Sequence, residues 1–251
     1  MTTSTAFSLP FMNMMQPIQS HDYSQCLNRF YSGAPPPIYD QQFWHGLQET
    51  YRQVAETSTI SKYNGTGFLV PYEVKLAPGK GRGVFTATDI SYGTKIWEPK
   101  YGAVFSGKEE FMKFLSLLSF ESACEILQWA YAFQEEDCYP DDLDSEDIYI
   151  CTRIACDLDE GSLINTVFDE DEDANVGYCN EEMTEALGWN CGDEGVDSFL
   201  RAYQKLESGE EIEIDYDQFE VYLDWFEELR SASGYLTTSE RIRHVWETEV
   251  L

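Results

Sequence analysis

Long apolar runs are missing from this chain of 251 residues, and no uninterrupted stretch comes near the roughly 20 residues that a membrane-spanning helix needs. No Lys or Arg precedes Arg29, which argues against a secretory n-region and against an Arg-rich transit peptide. The seven cysteines are an odd number and include no Cys-x-x-Cys pair, so they are expected to be reduced thiols of an intracellular protein, in nucleus or cytoplasm alike. His21, His45 and His244 are the only histidines and stand far apart in the chain. No zinc spacing can be assembled from them, and no metal is expected.

Positive charge is scarce as well. Sixteen Lys and Arg face 46 Asp and Glu, a net charge of −30. The imbalance is localised: Phe114 to Leu200 holds 24 acidic residues and one basic one, Arg153, whereas Lys62 to Lys113 holds eight basic and five acidic. Such a field repels nucleic-acid phosphates and attracts Lys/Arg-rich partners, so a basic protein or peptide is expected, with no nucleic acid and no membrane.

What is present suffices for a folded domain, since 43% of the residues are hydrophobic and 15% aromatic. Residues 1–38 are rich in Ser, Thr, Met, Gln and Pro and read as a disordered tail. Residues 39–62 hold a docking helix and linker, with Asp40 as cap and Phe43, Trp44, Leu47, Tyr51 and Val54 at helical spacing. Short β-branched and aromatic runs follow at Phe68–Val70, Glu73–Leu76, Gly83–Thr86 and Lys95–Trp97. Ser106-x-x-Glu109 and Ser122-x-x-Glu125 read as capping boxes of two helices, the second carrying Ile126, Leu127, Ala130 and Phe133. Strand patterns return at Ile148–Ile154, Leu163–Ile164 and Glu211–Tyr216, before a last helix bearing Phe219, Tyr222, Leu223, Phe226 and Leu229.

Two aspartate-rich loops invite a calcium reading and fail it. Asp169, Asp171 and Asp173 stand at the first, third and fifth places of an EF-hand loop, but the sixth is Ala174 where Gly is needed, and the twelfth is Asn180. The loop at Asp142, Asp144 and Glu146 has Asp147 and Arg153 at those places.

The run Gly79-Lys80-Gly81-Arg82-Gly83-Val84-Phe85 follows Pro71-Tyr72-Glu73-Val74 and precedes Asp89-Ile90-x-x-Gly93. Asp157 to Asn165 then leads to Ala174-Asn175, and Gly209-Glu210-Glu211-Ile212-Glu213-Ile214-Asp215-Tyr216 closes the series. In this order the three motifs resemble the SET domain, the fold of many protein lysine methyltransferases, over roughly Tyr72 to Asp217. The resemblance implies a β-rich α+β fold of short curved sheets with a knot-like crossing. It gives a SET-like domain over 63–217, with a helical insert at about 106–147 and a C-terminal helical segment over 218–251.

The resemblance also implies S-adenosylmethionine as cofactor and a lysine of a basic protein as methyl acceptor, histone-like proteins among them. Tyr216 would be the catalytic residue, its hydroxyl close to the reacting methyl and amine. Gly81, Arg82 and Gly83 would meet the methionine end of the cofactor through their backbone. Asn165 and Thr166 would meet its adenine end, and Trp225 would cover the adenine. The sequence departs from the family where Asn-His-Ser reads Asn165-Thr166-Val167, and where Phe168 to Asp173 enlarges the link to the next motif. Lys100 stands where the family often has Tyr, and no Cys-rich tail follows, since no cysteine lies beyond Cys191. These departures motivate an alternative, a catalytically inactive SET-derived module that holds a basic peptide on its acidic face.

Overall fold

A computed structural model of the chain describes residues 21–26, 35–134, 152–167, 174–179, 197–215 and 223–235. Helix α1 (Gln41–Val54) starts where expected, with the Asp40 carboxylate accepting from the Phe43 amide at 3.1 Å. Its buried face carries Trp44, Leu47, Tyr51 and Val54. Two polar side chains on that face fix it to the body. Buried Gln48 donates to the carbonyls of Gly65 and Leu158, each at 2.8 Å, and the Tyr51 hydroxyl donates to the Val104 carbonyl at 2.6 Å.

The body is a set of small sheets. Strands β1 (Tyr72–Ala77) and β2 (Gly81–Thr86) form an antiparallel hairpin, turned by Gly79 at φ 76° and Gly81 at φ 86°, a region that favours glycine. A second sheet orders β3 (Lys95–Trp97), β9 (Asp197–Ala202) and β8 (Val176–Cys179). A third orders β4 (Gly102–Phe105), β6 (Thr152–Asp157) and β5 (Tyr131–Gln134). The two-residue strands β7 (Asn165–Thr166) and β10 (Glu213–Ile214) pair in parallel, Asn165 opposite Glu213 and Thr166 opposite Ile214.

Helices α2 (Lys108–Leu117), α3 (Phe120–Trp129) and α4 (Asp224–Ala232) share the core with α1: Trp129 of α3 meets Trp44 at 5.3 Å, and a chain of aromatic rings joins α1, α2 and α4. Tyr51 meets Phe105 edge-on at 5.3 Å, Phe105 meets Phe111 at 5.0 Å, and Phe111 meets Phe226 at 5.7 Å. This is the β-rich α+β architecture with helical insert and flanking helices that the motifs imply.

Local readings change in several places. The first box does not form: Gly107 caps α2 without a side-chain bond, and Glu110 rather than Glu109 accepts from the Ser106 amide at 2.7 Å. Ser119 rather than Ser122 caps α3, which frees Glu125 for a different role in the interior. Helix α3 ends at Trp129, and Phe133 lies in β5. Leu163 closes a single 3-10 turn (Glu160–Leu163) held by the Asp159 side chain, and the strand begins only at Asn165. The strand expected from Ile148 begins at Thr152 among the described residues; Phe219, Tyr222 and the acidic residues of both calcium-like loops lie outside them.

The expectation of seven reduced thiols is overturned for two of them. Cys26 and Cys124 form a disulfide, their Cα atoms 5.4 Å apart although 98 residues separate them in sequence. That separation hides the pair from any spacing rule; only the fold brings the N-terminal segment onto α3. His21 helps seat the same segment by donating from Nε2 to the Leu118 carbonyl at 3.0 Å. Buried Cys156 is free, and burial pushes its thiol well above the ordinary range. Reducing the Cys26–Cys124 bond should lower the unfolding free energy by about 3 to 5 kcal/mol, the entropy of closing a loop of this size. Urea midpoints with and without a phosphine reductant check this; coincident midpoints refute it.

Two carboxylates behind the 3-10 turn make stability depend on pH. Asp157 Oδ1 is shielded from water without a hydrogen-bond partner; burial, and then the nearby Asp159 charge, push its pKa from 3.8 to about 8. Burial also raises Asp159 to about 6, although it accepts from the Gly67 and Gly161 amides and from the Trp97 indole. The folded state therefore binds these protons more tightly than the unfolded chain does. The stability they contribute is full below about pH 4 and is lost as pH rises through 6 and 8. Asp157→Asn should flatten that decline, read as Tm against pH; an unchanged slope in the variant would assign the dependence elsewhere.

Candidate active site

Strand β2 opens on Gly81-Arg82-Gly83, and the three residues face different neighbours. Pro36 lies beside Gly81, its Cγ 3.7 Å from where a Cβ would be built. The Arg82 side chain is committed to the interior: Nη2 pairs with Glu125 Oε2, and Nη1 donates to the Pro37 carbonyl at 2.9 Å. Its guanidinium carbon lies 5.2 Å from the Tyr39 ring centroid and 5.3 Å from that of Trp129, and the Tyr39 hydroxyl donates to Glu125 Oε1 at 2.7 Å. A buried ion pair is costly unless its remaining hydrogen bonds are made, and Pro37 and Tyr39 make them. Only the backbone of Arg82 remains for other work.

That backbone meets Asn165. The Asn165 amide donates from Nδ2 to the Arg82 carbonyl at 2.8 Å and to Glu211 Oε1 at 2.7 Å. Gly83 makes the meeting possible, because a Cβ there would collide with Glu211 Oε1 and stand 3.0 Å from Asn165 Nδ2. The space beside Gly83 is thus filled by protein side chains, which changes the reason for that glycine from room for a ligand to room for a carboxylate and an amide. Asn175 ties the same point to β10: its Nδ2 donates to the Glu211 carbonyl at 2.8 Å, and its Oδ1 accepts from the Glu213 amide at 2.9 Å. Glu213 in turn holds Lys80 in an ion pair.

Gly81, Arg82, Gly83, Asn165 and Thr166 are therefore brought together by β2, β7 and β10. Tyr216 follows Asp215 at the end of this strand and lies outside the described residues. Trp225 packs against other rings: Phe111 at 6.2 Å and Phe226 at 5.8 Å, with Lys108 Nζ 5.7 Å above its own ring. The sequence gives no site role to Glu125, Glu211 or Tyr203. The Tyr203 hydroxyl donates to the Tyr178 carbonyl at 2.8 Å; burial, with the Asp215 charge adding to it, pushes its pKa up to about 12. The second glutamate of Gly209-Glu210-Glu211 was the available signal for Glu211; Glu125 carried none, since its cation is 43 residues away. Among the described residues no group of three or more His, Cys, Asp or Glu could hold a metal ion, and no helix is long and apolar enough to cross a membrane.

The Arg82–Glu125 pair can be separated from the rest of the site by mutation. Glu125→Ala strands a buried guanidinium and should cost about 3 to 5 kcal/mol, whereas the double replacement Arg82→Met with Glu125→Leu should cost much less. Chemical denaturation of the three proteins decides it; a double variant as unstable as Glu125→Ala would mean that the pair is not the source of the loss.

Two solved structures set this arrangement beside known proteins. The chain is similar to the Neurospora SET domain protein DIM-5, a histone lysine methyltransferase, at 16% identity and a TM-score of 0.37, over 62% of this chain and 56% of that one. It is similar at 13% identity and a TM-score of 0.26 to a Plasmodium falciparum protein described as a histone methyltransferase, over 59% of this chain and 93% of that one. No curated protein sequence matches significantly. The family model of the SET domain matches residues 81–217, more than half of the chain and the span that carries β2, β7 and β10, so the protein belongs to the SET-domain family.

Proposed function

We propose that this protein transfers a methyl group from S-adenosylmethionine to a lysine of a basic protein. The observation that carries the reading is the convergence of Gly81–Gly83, Asn165 and the strand leading to Asp215-Tyr216 on one point, in the order the family uses. The residues present fit such a cofactor. Gly81 takes a positive φ that favours glycine, the Arg82 side chain is withdrawn into the core, and Glu211 offers a half-buried carboxylate beside Gly83 and Asn165. When bound, S-adenosylmethionine supplies a methyl group activated by a sulfonium.

The rest is the chain's own task. The acceptor lysine reacts as the neutral amine, and an apolar channel lowers an ammonium pKa by desolvating the charged form. Orientation in line with the methyl supplies much of the rate, and the Tyr216 hydroxyl is assigned to hold the amine in that line. The net charge of −30 attracts a Lys/Arg-rich substrate over distances comparable to the Debye length, about 8 Å at physiological salt. The second reading, a binding module without transfer, is favoured by the departures from the family at Thr166, at Lys100 and at the acidic enlargement Phe168 to Asp173.

Calorimetry with S-adenosylmethionine and transfer of labelled methyl to a basic protein such as histone test the proposal. Binding in the micromolar range with transfer supports it; a folded sample giving no heat overturns it, and peptide binding without transfer selects the module. Tyr216→Phe should keep cofactor affinity and slow transfer by roughly a hundredfold to a thousandfold, the usual loss for one oriented donor. Transfer at the wild-type rate would remove Tyr216 from the chemistry.

A further inference from the structure

Three glutamates surround β2, and two of them are matched by a cation within the protein. Glu125 holds Arg82 and Glu213 holds Lys80. Glu211 has no such partner among the described residues: its Oε1 accepts from the neutral Asn165 amide, and no Lys or Arg reaches it. Its backbone is pinned from both sides. Glu211 bridges to Phe85, its carbonyl accepts from Asn175 Nδ2, and the flanking Ile212 amide donates to the Val84 carbonyl at 2.8 Å. The side chain leans over Gly83, where a Cβ would displace it, and it is half-buried. An anion held in place, partly out of water and lacking a counter-charge, complements a cation on whatever binds beside it.

We propose that Glu211 is a cofactor-binding residue whose carboxylate receives the positive charge of S-adenosylmethionine. This rests on the reading of Gly81–Gly83 and Asn165 as the cofactor site, given above. The ligand carries two cationic centres, the ammonium of its methionine end and the sulfonium. Its demethylated product, S-adenosylhomocysteine, keeps only the ammonium, and methylthioadenosine has neither.

Glu211→Gln isolates the charge, because glutamine keeps the length and the acceptor for Asn165. Affinities of the full chain and the variant for the three compounds are compared by calorimetry, with competition for the weakest. The variant should bind S-adenosylmethionine about tenfold or more weakly and methylthioadenosine unchanged, since hydrogen bonds to charged groups carry that much. Weakening of S-adenosylhomocysteine to the same extent identifies the ammonium as the recognised cation; no weakening of it identifies the sulfonium. Equal weakening of methylthioadenosine would show that Glu211 acts only by supporting Asn165, and no weakening of any compound would show that it is a bystander; either overturns the proposal. Gly83→Ala gives an independent route, because it moves the carboxylate while keeping its charge, and it decides the matter if the glutamine variant does not fold. A wild-type protein that binds none of the three refutes the cofactor site itself, whereas wild-type binding with an indifferent variant refutes only the role of Glu211.

Discussion

Gly83 lacks a side chain, and two segments that are distant in sequence close over it. The Asn165 amide from β7 and the Glu211 carboxylate ahead of β10 occupy the volume that a Cβ would take, and the Arg82 carbonyl next to it accepts from the same amide. Each polar group here satisfies another, so none can be exchanged for an apolar one without leaving a desolvated donor or acceptor. The short parallel pair β7–β10 could not stand alone, since two residues a side supply few ladder bonds. It is held by this contact and by Asn175, which joins Glu211 and Glu213 from the far side. The position at which the chain leaves β10 toward Tyr216 depends on these few bonds.

The second organising feature is that the helical insert and the N-terminal segment act on β2 from outside the sheet. Arg82 reaches across to Glu125 on α3 and to Pro37, while Tyr39 completes the carboxylate's bonds. Glutamate and arginine are both almost fully enclosed, so the pair specifies one arrangement of three segments rather than adding much net stability. The aromatic chain from Tyr51 to Phe226 joins α1, α2 and α4 in one core.

Much of this was legible in the sequence where the physics is local. Asp40 before an apolar face at helical spacing announces α1, and the glycines around Lys80 announce a tight turn. The ordered motifs identified the strands that meet at the site. What could not be read depends on partners far along the chain. Glu125 has the spacing of a cap and the function of a buried counter-ion, and only its distance to Arg82 tells the two apart. Cys26 and Cys124 look like scattered thiols until α3 is in place. Strands β4, β5 and β8 are four residues each, too short for alternation to rise above the surrounding pattern.

Cys124 is a junction for both ends of the described chain. Its sulfur holds Cys26, and its backbone carbonyl accepts from the Tyr235 hydroxyl at 2.8 Å. On a ribosome adding about 5 to 20 residues per second, Cys26 emerges many seconds before its partner exists, and Tyr235 comes later still. The N-terminal segment therefore cannot be secured until Cys124 has been made, and α3 must fold before Cys26 or Tyr235 has a place to go. Covalent closure then records, in one bond, that α3 has reached its seat.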